Sequence, residues 1–498
     1  MGSSVAQSGV RLPHVLTVGF AGYGPLADPA IIRERIGQYL ADRRSAASRV
    51  VCGVCSLAGD AQPIFAESCI ALDIPLRLLL PLPRDRFLQE FSGAEMQRMA
   101  RILDHAASIE IAGSDESLDD GVYECTLQAV QLSQELLAVW DGSHAAGIAN
   151  TADILNFASQ MRRPVTWIHG QTGAVESLHH PDELDSNPEA ELDFLNDLPE
   201  EGIVAASDGQ SSIAALWLAK LDANAAQVAP QVRKLAALPI ILTALAAFFS
   251  ATSQGRRSPG LWIAVGGTFG LAASVLPMLV KLGPRQALWV RIRTAAEISR
   301  SMGALWATPA RYKIVGPEIL PELSGMIRSL DLLKSQARQQ DKPTLDQFKE
   351  SYVRDRLLDQ MNYFSRQSTQ AATTSRKYRL VGKICTIGAI LLSAWVFIGH
   401  TLMRINTGLT GKSWLTLVAS ALFQFATVAG ALLIVKDSDR RQRRYMELHR
   451  ALAGWESELR AFHTWPPVIE VVSKIERALL VELLEWRSLL QNRKMPRN

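Results

Sequence analysis

Three glycine-containing turns hold the residues of this chain that are best suited to bind a phosphate group. Each turn follows a short apolar run, so in an open parallel sheet it would lie at the carboxyl end of a strand, where free backbone N–H groups attract anions. We therefore predict one ligand site at that edge of the sheet. Its candidate residues are Gly22, Tyr23 and Gly24 in the first turn, Ser56, Gly59 and Asp60 in the second, and Trp140, Asp141, Gly142, Asn150, Thr151 and Asp153 in and after the third.

Two further side chains could complete such a site. Tyr123 could stack on a base, and Arg84, which follows a Pro-Leu-Pro turn, could pair with phosphate oxygens. For Arg84 alone, a solvated helix start is the simpler interpretation, and glycine turns between strand and helix occur whatever the function. The prediction of ligand binding therefore depends on three turns meeting at one edge.

The cysteines do not indicate a metal site. Cys52 and Cys55 form a CxxC, but neither a second pair nor a nearby histidine accompanies it in the sequence. We interpret both as small buried strand residues, and we expect neither a bound metal nor disulfide bonds.

The first 170 residues alternate short apolar runs with amphipathic stretches, which is typical of a parallel sheet covered by helices. The sequence predicts an α/β, Rossmann-like N-terminal domain. The predicted strands are 16–20, 48–54, 76–80, 108–111, 136–140 and 165–168, and the predicted helices are 28–42, 60–72, 93–105, 120–134 and 151–160.

Four later apolar stretches contain no Asp, Glu, Lys or Arg: 235–252, 260–280, 384–402 and 413–435. Each has roughly the 20 residues that cross a bilayer as a helix, so we predict an all-α membrane region with four transmembrane helices and cytoplasmic helices. The two loops within the pairs carry four Lys or Arg residues and the other flanks carry fifteen, which places both termini in the cytoplasm. Because the spans lack ionisable residues, a coupled transporter is not expected.

The same patterns divide the chain into four segments. Residues 1–176 are predicted to form the α/β domain with the candidate ligand site, and 177–210 an acidic linker, since 176–208 contains 11 acidic residues and no Lys or Arg. Residues 211–340 and 341–498 each form a unit with two spans, and the second ends in an apolar helical stripe. The net charge of +3 comes largely from the membrane flanks, so nucleic acid is not an expected partner.

The N-terminal motifs resemble the SLOG superfamily of Rossmann-like domains. The resemblance is carried by the GxxGYG turn at 19–24, by SLAGDAQPIFAESCIALDIPLRLLLPLPRDRF at 56–87 and by LLAVWDGSHAAGIANTADIL at 136–155, and it covers about residues 12–170. This superfamily includes nucleotide sensors and the cytokinin-activating LOG phosphoribohydrolases. The resemblance implies that a nucleotide or an NAD-derived ligand binds at these turns.

One position departs from the hydrolases of that superfamily. Their PGGxGTxxE pattern supplies a glutamate to the chemistry, whereas Ile154 stands at the corresponding position here. Asp153 lies one residue earlier, at a different helical angle. A ligand sensor is therefore favoured over the alternative, a membrane-tethered hydrolase that cleaves an N-glycosidic bond of NAD or a nucleotide with Asp141 or Asp153 as its carboxylate.

The C-terminal half resembles the SLATT family of two-span effectors, which accompany SLOG domains in bacterial defence loci. The resemblance is carried by WVRIRTAAE at 289–297, YVRDRLLDQ at 352–360 and VELLEW at 481–486. It implies a multi-pass protein of the bacterial inner membrane that responds to a nucleotide second messenger in antiphage defence. Because four thin helices enclose little space, a pore would need a homo-oligomer. No resident cofactor is expected.

Overall fold

A computed structural model of the chain contains an N-terminal sheet with flanking helices, followed by a helical C-terminal region. The chain divides into two compact units. Unit 1 comprises Met1–Lys220 and Ile298–Pro343, and unit 2 comprises Leu221–Glu297 and Thr344–Asn498. The structure describes residues 10–22, 26–45, 49–57, 59–112, 118–142, 151–179, 188–200, 213–252, 259–279, 282–306, 308, 320–337, 343–401, 409–436 and 438–491.

Unit 1 is built on a seven-stranded sheet in the order β4-β3-β2-β1-β5-β6-β7. Neighbouring strands from β4 to β6 are parallel, and β7 is antiparallel to β6. The order reverses its direction at β1, as in doubly wound α/β folds. The strands are β1 (Val15–Gly22), β2 (Val50–Cys55), β3 (Leu76–Leu80), β4 (Ser108–Ile111), β5 (Glu135–Trp140), β6 (Val165–His169) and β7 (Val175–His179).

The six predicted strands are present, and the five predicted helices of this domain are also found, with ends that differ by up to three residues. The helices are α1 (Pro29–Ser45), α2 (Ala61–Ala71), the short α3 (Arg84–Gln89), α4 (Gly93–His105), α5 (Leu118–Leu132), α6 (Thr151–Gln160) and α7 (Pro188–Asn196). The predicted α/β class of the N-terminal domain is therefore confirmed.

Alternating side chains of each central strand face two separate apolar layers. In β3, Leu78 packs with residues of α1, α2 and α4, whereas its neighbour Leu79 packs with Cys125 and Ala129 of α5. Helices therefore cover both faces of the sheet, and its central strands are buried along their whole length, as parallel sheets require.

The acidic stretch 177–210, which the sequence indicated as a linker, contains more structure than expected. β7 ends inside it, and α7 lies within it with Leu192 and Leu195 buried. The amide of Asn196 also exchanges two hydrogen bonds with the backbone of Leu12, at 2.9 and 3.0 Å. The acidic residues dominate the composition, but these apolar and amide side chains attach the segment to the domain.

A second difference concerns residues 298–340, which we expected in the first two-span unit. They belong to unit 1, where α11 (Ser324–Ala337) packs beside β1. Leu332 of α11 is buried against Val15 and Cys52. A sequence pattern does not show which apolar surface such an amphipathic helix covers.

The described residues of unit 2 are helical except at Thr344 and in the connection 462–464. The first part of unit 2 begins inside α8 (Ile213–Thr252), contains α9 (Pro259–Leu279) and ends inside α10 (Leu282–Ala304). Its second part begins with α12 (Leu345–Tyr352) and a π-helical turn (Val353–Leu357). The remaining helices are α13 (Leu358–Thr401), α14 (Leu409–Lys436), α15 (Ser438–Ala461) and α16 (Trp465–Gln491).

We expect the four cysteines of the sheet domain to be unreactive in the folded protein. Cys52, Cys55, Cys69 and Cys125 are buried, and burial raises the pKa of the Cys125 thiol to about 12. Since the thiolate is the reactive form, alkylation by iodoacetamide at mildly alkaline pH should be negligible before unfolding and complete in urea. Peptide mass spectrometry measures both. Modification of these four thiols in the folded chain at the rate seen in urea would contradict their burial.

Candidate functional site

A pocket opens where the sheet order reverses, between the carboxyl ends of β1 and β5. It is shallow: the space between its walls is about 260 Å³ including open solvent, and the part that admits the centre of a water-sized molecule is about 10 Å³. This is the position at which ligands bind in doubly wound sheets, because the helices on either side of it leave in opposite directions. The lining residues are Ala21, Gly22, Gln62, Val122, Tyr123, Thr126, Thr151 and Ile154.

Four elements position these side chains. β1 ends at Gly22, where an added Cβ would lie 3.1 Å from the Cβ of Ala61, so glycine lets the strand end pass close to α2. Gln62, in the first turn of α2, is hydrogen-bonded through its side chain to the hydroxyl of Ser56. α5 supplies Val122, Tyr123 and Thr126, and α6, which begins at Thr151, supplies Thr151 and Ile154.

Several of the predicted ligand residues meet here. Gly22, Tyr123 and Thr151 line the pocket, and Ser56 is buried directly behind Gln62. The other turn residues that the structure describes, Gly59, Asp60, Asp141 and Gly142, are exposed after the ends of β2 and β5. Gly59 and Gly142 have φ of 81° and 85°, a conformation that favours glycine. Tyr23, Gly24 and Asn150 lie outside the described residues.

Three other predicted residues do not line the pocket. Arg84 pairs with Asp104 of α4 at 2.5 Å. Trp140 packs against Trp167, with ring centroids 5.8 Å apart. Asp153 lies in the first turn of α6 but is exposed.

Sequence reasoning missed five of the lining residues: Ala21, Gln62, Val122, Thr126 and Ile154. Gln62 stands three residues after the second glycine turn, so the start of its helix could have indicated it. Thr126 lies three residues after Tyr123, which puts the two on one helical face. Ile154 was considered only because it stands where the hydrolases of the SLOG superfamily have their glutamate.

The chemical character of the pocket follows from these side chains. Its described lining consists of apolar, amide, hydroxyl and phenol groups, and it includes no carboxylate, imidazole, ammonium or guanidinium group. Ile154, only 2% exposed, presents an apolar wall. Such a surface can contact a base or sugar and donate hydrogen bonds to oxygens, and among the described lining residues Tyr123 carries the titratable group.

The second candidate surface is the apolar exterior of unit 2. Among the described residues, the helix Leu345–Ile398 is long and apolar enough to cross a membrane, with a mean hydropathy of 2.0 in its most apolar window. Only 6% of that window is buried, and Leu391 and Phe397 are 64% and 67% exposed. One of the four predicted transmembrane helices is therefore supported among the described residues. The other three predicted spans fall in helices whose apolar stretches are shorter: Ile241–Ser250, Gly260–Val275 and Val418–Leu433.

Two close contacts join these apolar helices within unit 2. A Cβ added to Gly266 of α9 would lie 2.7 Å from the hydroxyl of Ser250 in α8, so glycine permits the helices to approach. Gln424 of α14 donates a hydrogen bond of 2.9 Å to the carbonyl of Ala247 in α8. The second contact links helices from the two predicted span pairs.

No family model matches the chain, and neither a curated protein nor a solved structure is significantly similar to it.

Proposed function

We propose that this chain is a membrane effector controlled by a small ligand. Its SLOG-like domain binds a nucleotide or an NAD-derived signal at the switch-point pocket. Its four apolar helices form two SLATT-like units, which assemble with other copies of the chain in a bacterial inner membrane with both termini in the cytoplasm. Ligand binding makes this assembly permeabilise or depolarise the membrane during antiphage defence.

The observation that carries the proposal is the pocket itself. It lies at the switch point of a doubly wound sheet and is lined by a tyrosine, an amide and two hydroxyls. Tyr123 offers an aromatic face to a base, and the first turn of α6 offers N–H groups to an anion. The absence of a carboxylate from the described lining favours binding without turnover.

The exposed apolar helices support a membrane location. Monomeric proteins in water rarely expose large contiguous apolar patches, whereas the apolar window of α13 is almost entirely open. For a ligand to control this region, it must bind more tightly to the permeable arrangement than to the closed one.

Liposome leakage by the full chain tests the proposal. The purified protein is reconstituted into dye-filled liposomes, and NAD, ADP-ribose, AMP and cyclic dinucleotides are added in turn. We expect saturable release of dye with at least one of these ligands. Equal release without any ligand, or no release with any of them, would argue against a gated effector.

A change at Thr151 tests whether the pocket is the ligand site. Thr151→Val keeps the shape of the side chain but removes a hydroxyl from the pocket wall, so we expect the Kd of the active ligand to rise about tenfold. Ile154→Val alters the same wall without removing a polar group and should change the Kd far less. Calorimetry on the full chain in detergent measures both. Equal affinity of the Thr151 variant and the wild type would place the ligand elsewhere.

Turnover assays separate the sensor from the hydrolase alternative. Under the sensor proposal, the full chain leaves NAD and nucleoside monophosphates intact, and the Asp153→Ala variant gives the same result in the turnover assay. Release of nicotinamide or free base that is lost in Asp153→Ala would instead establish the hydrolase.

A further inference from the structure

The exposed surface of α13 changes from basic to apolar within one helical turn. Arg376, Lys377 and Lys383 are exposed, and we call these three residues the basic face of α13. Ile387 lies one turn beyond Lys383, and Leu391 lies one turn further along; both are also exposed. Since residues four apart lie on the same side of a helix, charged and apolar groups meet between Lys383 and Ile387.

The basic face lacks counter-ions among the residues that the structure describes. None of its three side chains forms an ion pair with a described carboxylate. The acidic residue of α13 is Asp359, roughly 25 Å along the helix from Arg376, and the sequence of α14 contains neither Asp nor Glu. Arg379 lies between these residues in the sequence but already interacts with another group of the chain, so it is not counted.

The packing of α14 against α13 fixes the register of the two helices. A Cβ added to Gly388 of α13 would lie 3.2 Å from the side chain of Leu422 in α14. A Cβ added to Gly382 would lie 3.8 Å from the Cβ of Ala429. The two contacts advance in opposite directions along the chain, so the helices are antiparallel.

This register places basic residues of α13 next to apolar residues of α14. Lys383 lies beside the apolar stretch Val418–Leu433, and Lys377 lies beside the end of that stretch. Charged side chains at the level of an apolar partner are expected at the boundary between hydrocarbon and headgroups, where long basic side chains extend to the polar layer.

We propose that the basic face of α13 binds the headgroup of an anionic phospholipid, an inference that rests on the proposed membrane location of this helix. The three positive charges are complementary to an anionic headgroup, and the exposed apolar residues beyond Lys383 contact its acyl chains. A zwitterionic phospholipid has the same phosphate but no net charge, so the face selects anionic lipids. Arg376 and Lys383 are roughly 10 Å apart along the helix axis, and their flexible side chains can converge on one headgroup layer.

Lipid retention by the full chain tests the proposal. The protein is reconstituted into vesicles of phosphatidylcholine and phosphatidylglycerol in equal parts, extracted in mild detergent and analysed by native mass spectrometry. We expect the lipids that stay bound to be enriched in phosphatidylglycerol by at least about fivefold, the factor that one basic residue near an anionic headgroup supplies. Extraction in roughly 1 M salt should reduce this enrichment, because salt screens exposed charges.

Charge variants locate the site. In the triple variant Arg376→Gln, Lys377→Gln, Lys383→Gln, we expect the bound lipids to have the composition of the vesicles. The double variant Arg376→Lys, Lys383→Arg keeps the charges and should keep the enrichment.

A matched control removes three exposed charges elsewhere. It combines Arg101→Gln in α4, Arg450→Gln in α15 and Arg477→Gln in α16, and it should retain the enrichment of the wild type. Equal loss of enrichment in this control and in the triple variant would overturn the proposal, because the lipid would then respond only to the overall charge of the protein. Equal enrichment in the wild type and the triple variant would also overturn it.

Flotation with vesicles of phosphatidylcholine alone, after an alkaline wash, measures membrane insertion separately. A wild-type chain that inserts without enriching phosphatidylglycerol would overturn this proposal and leave the membrane location intact. A chain that does not insert would overturn both. If the triple variant fails to fold, the salt series on the wild type decides, and enrichment that persists unchanged in high salt would contradict binding by exposed charges.

Discussion

Replacing Glu476 by glutamine is expected to destabilise the C-terminal helices of unit 2 by about 3–5 kcal/mol. Glu476 of α16 is 1% exposed and accepts two hydrogen bonds from Arg356, which is 5% exposed, at 3.0 and 2.8 Å. The hydroxyl of Tyr352 donates a third, at 2.8 Å. Burial, and then the Glu476 carboxylate, hold the pKa of Tyr352 well above its usual range, so the phenol remains a donor. The glutamine variant would leave the charge of Arg356 buried without its counter-ion.

The control lies on the same helix. Glu470 pairs with Lys474 at 2.8 Å on the exposed surface of α16, and Glu470→Gln should give no measurable change. The double variant Arg356→Met, Glu476→Leu removes both charges and should recover most of the lost stability. Unfolding of the full chain in detergent is followed by circular dichroism and by pulse proteolysis. If Glu476→Gln proved as mild as Glu470→Gln, the buried pair would not hold these helices together.

Phe65→Ala is expected to destabilise the sheet domain by about 3–5 kcal/mol. Phe65 of α2 is fully buried and stacks on Phe20 of β1, with ring centroids 4.7 Å apart and planes inclined by 18°. Alanine would remove the ring from a packed layer and leave a cavity. Because Phe20 directly precedes Ala21 and Gly22, and α2 also carries Gln62, this stack holds together two walls of the switch-point pocket.

Phe65→Leu provides the comparison, since it keeps most of the apolar volume and should cost only about 1.5 kcal/mol. Pulse proteolysis in urea reports the stability of the sheet domain, and calorimetry reports ligand affinity. We expect the alanine variant to lose stability and ligand affinity, and the leucine variant to keep its affinity for the ligand. A similar loss of unfolding free energy in the two variants would show that the ring stack contributes little to stability.

The fold of the sheet domain could be predicted from the sequence because its strands are continuous apolar runs between helices that begin near Asp or Thr. For this reason the predicted strands 76–80 and 108–111 coincide with β3 and β4. α7 was missed because acidic residues outnumber Leu192 and Leu195 in its composition, although those two leucines decide where the helix packs.

The candidate site was harder to predict from the sequence, because its residues are brought together by helix packing. Turn glycines can be recognised from the sequence, and Gly22 does line the pocket. Arg84 was also a candidate, although a solvated helix start was the simpler interpretation, and its side chain pairs with Asp104, a contact that depends on how two helices pack. The spacing of Thr126 from Tyr123 puts the two on one helical face, but only the crossing of α5 over the sheet brings that face to the switch point.

The packing of α11 against β1 also has a consequence for the order in which the chain folds. Leu332, which lies against Val15 and Cys52, is synthesised after the first pair of apolar helices, although it completes the packing of the first strand. The sheet domain therefore cannot reach its final packing on the ribosome until α8 and α9 have been made. A fragment that ends before α8 would leave this apolar surface open to water, so the domain is best studied within the whole chain.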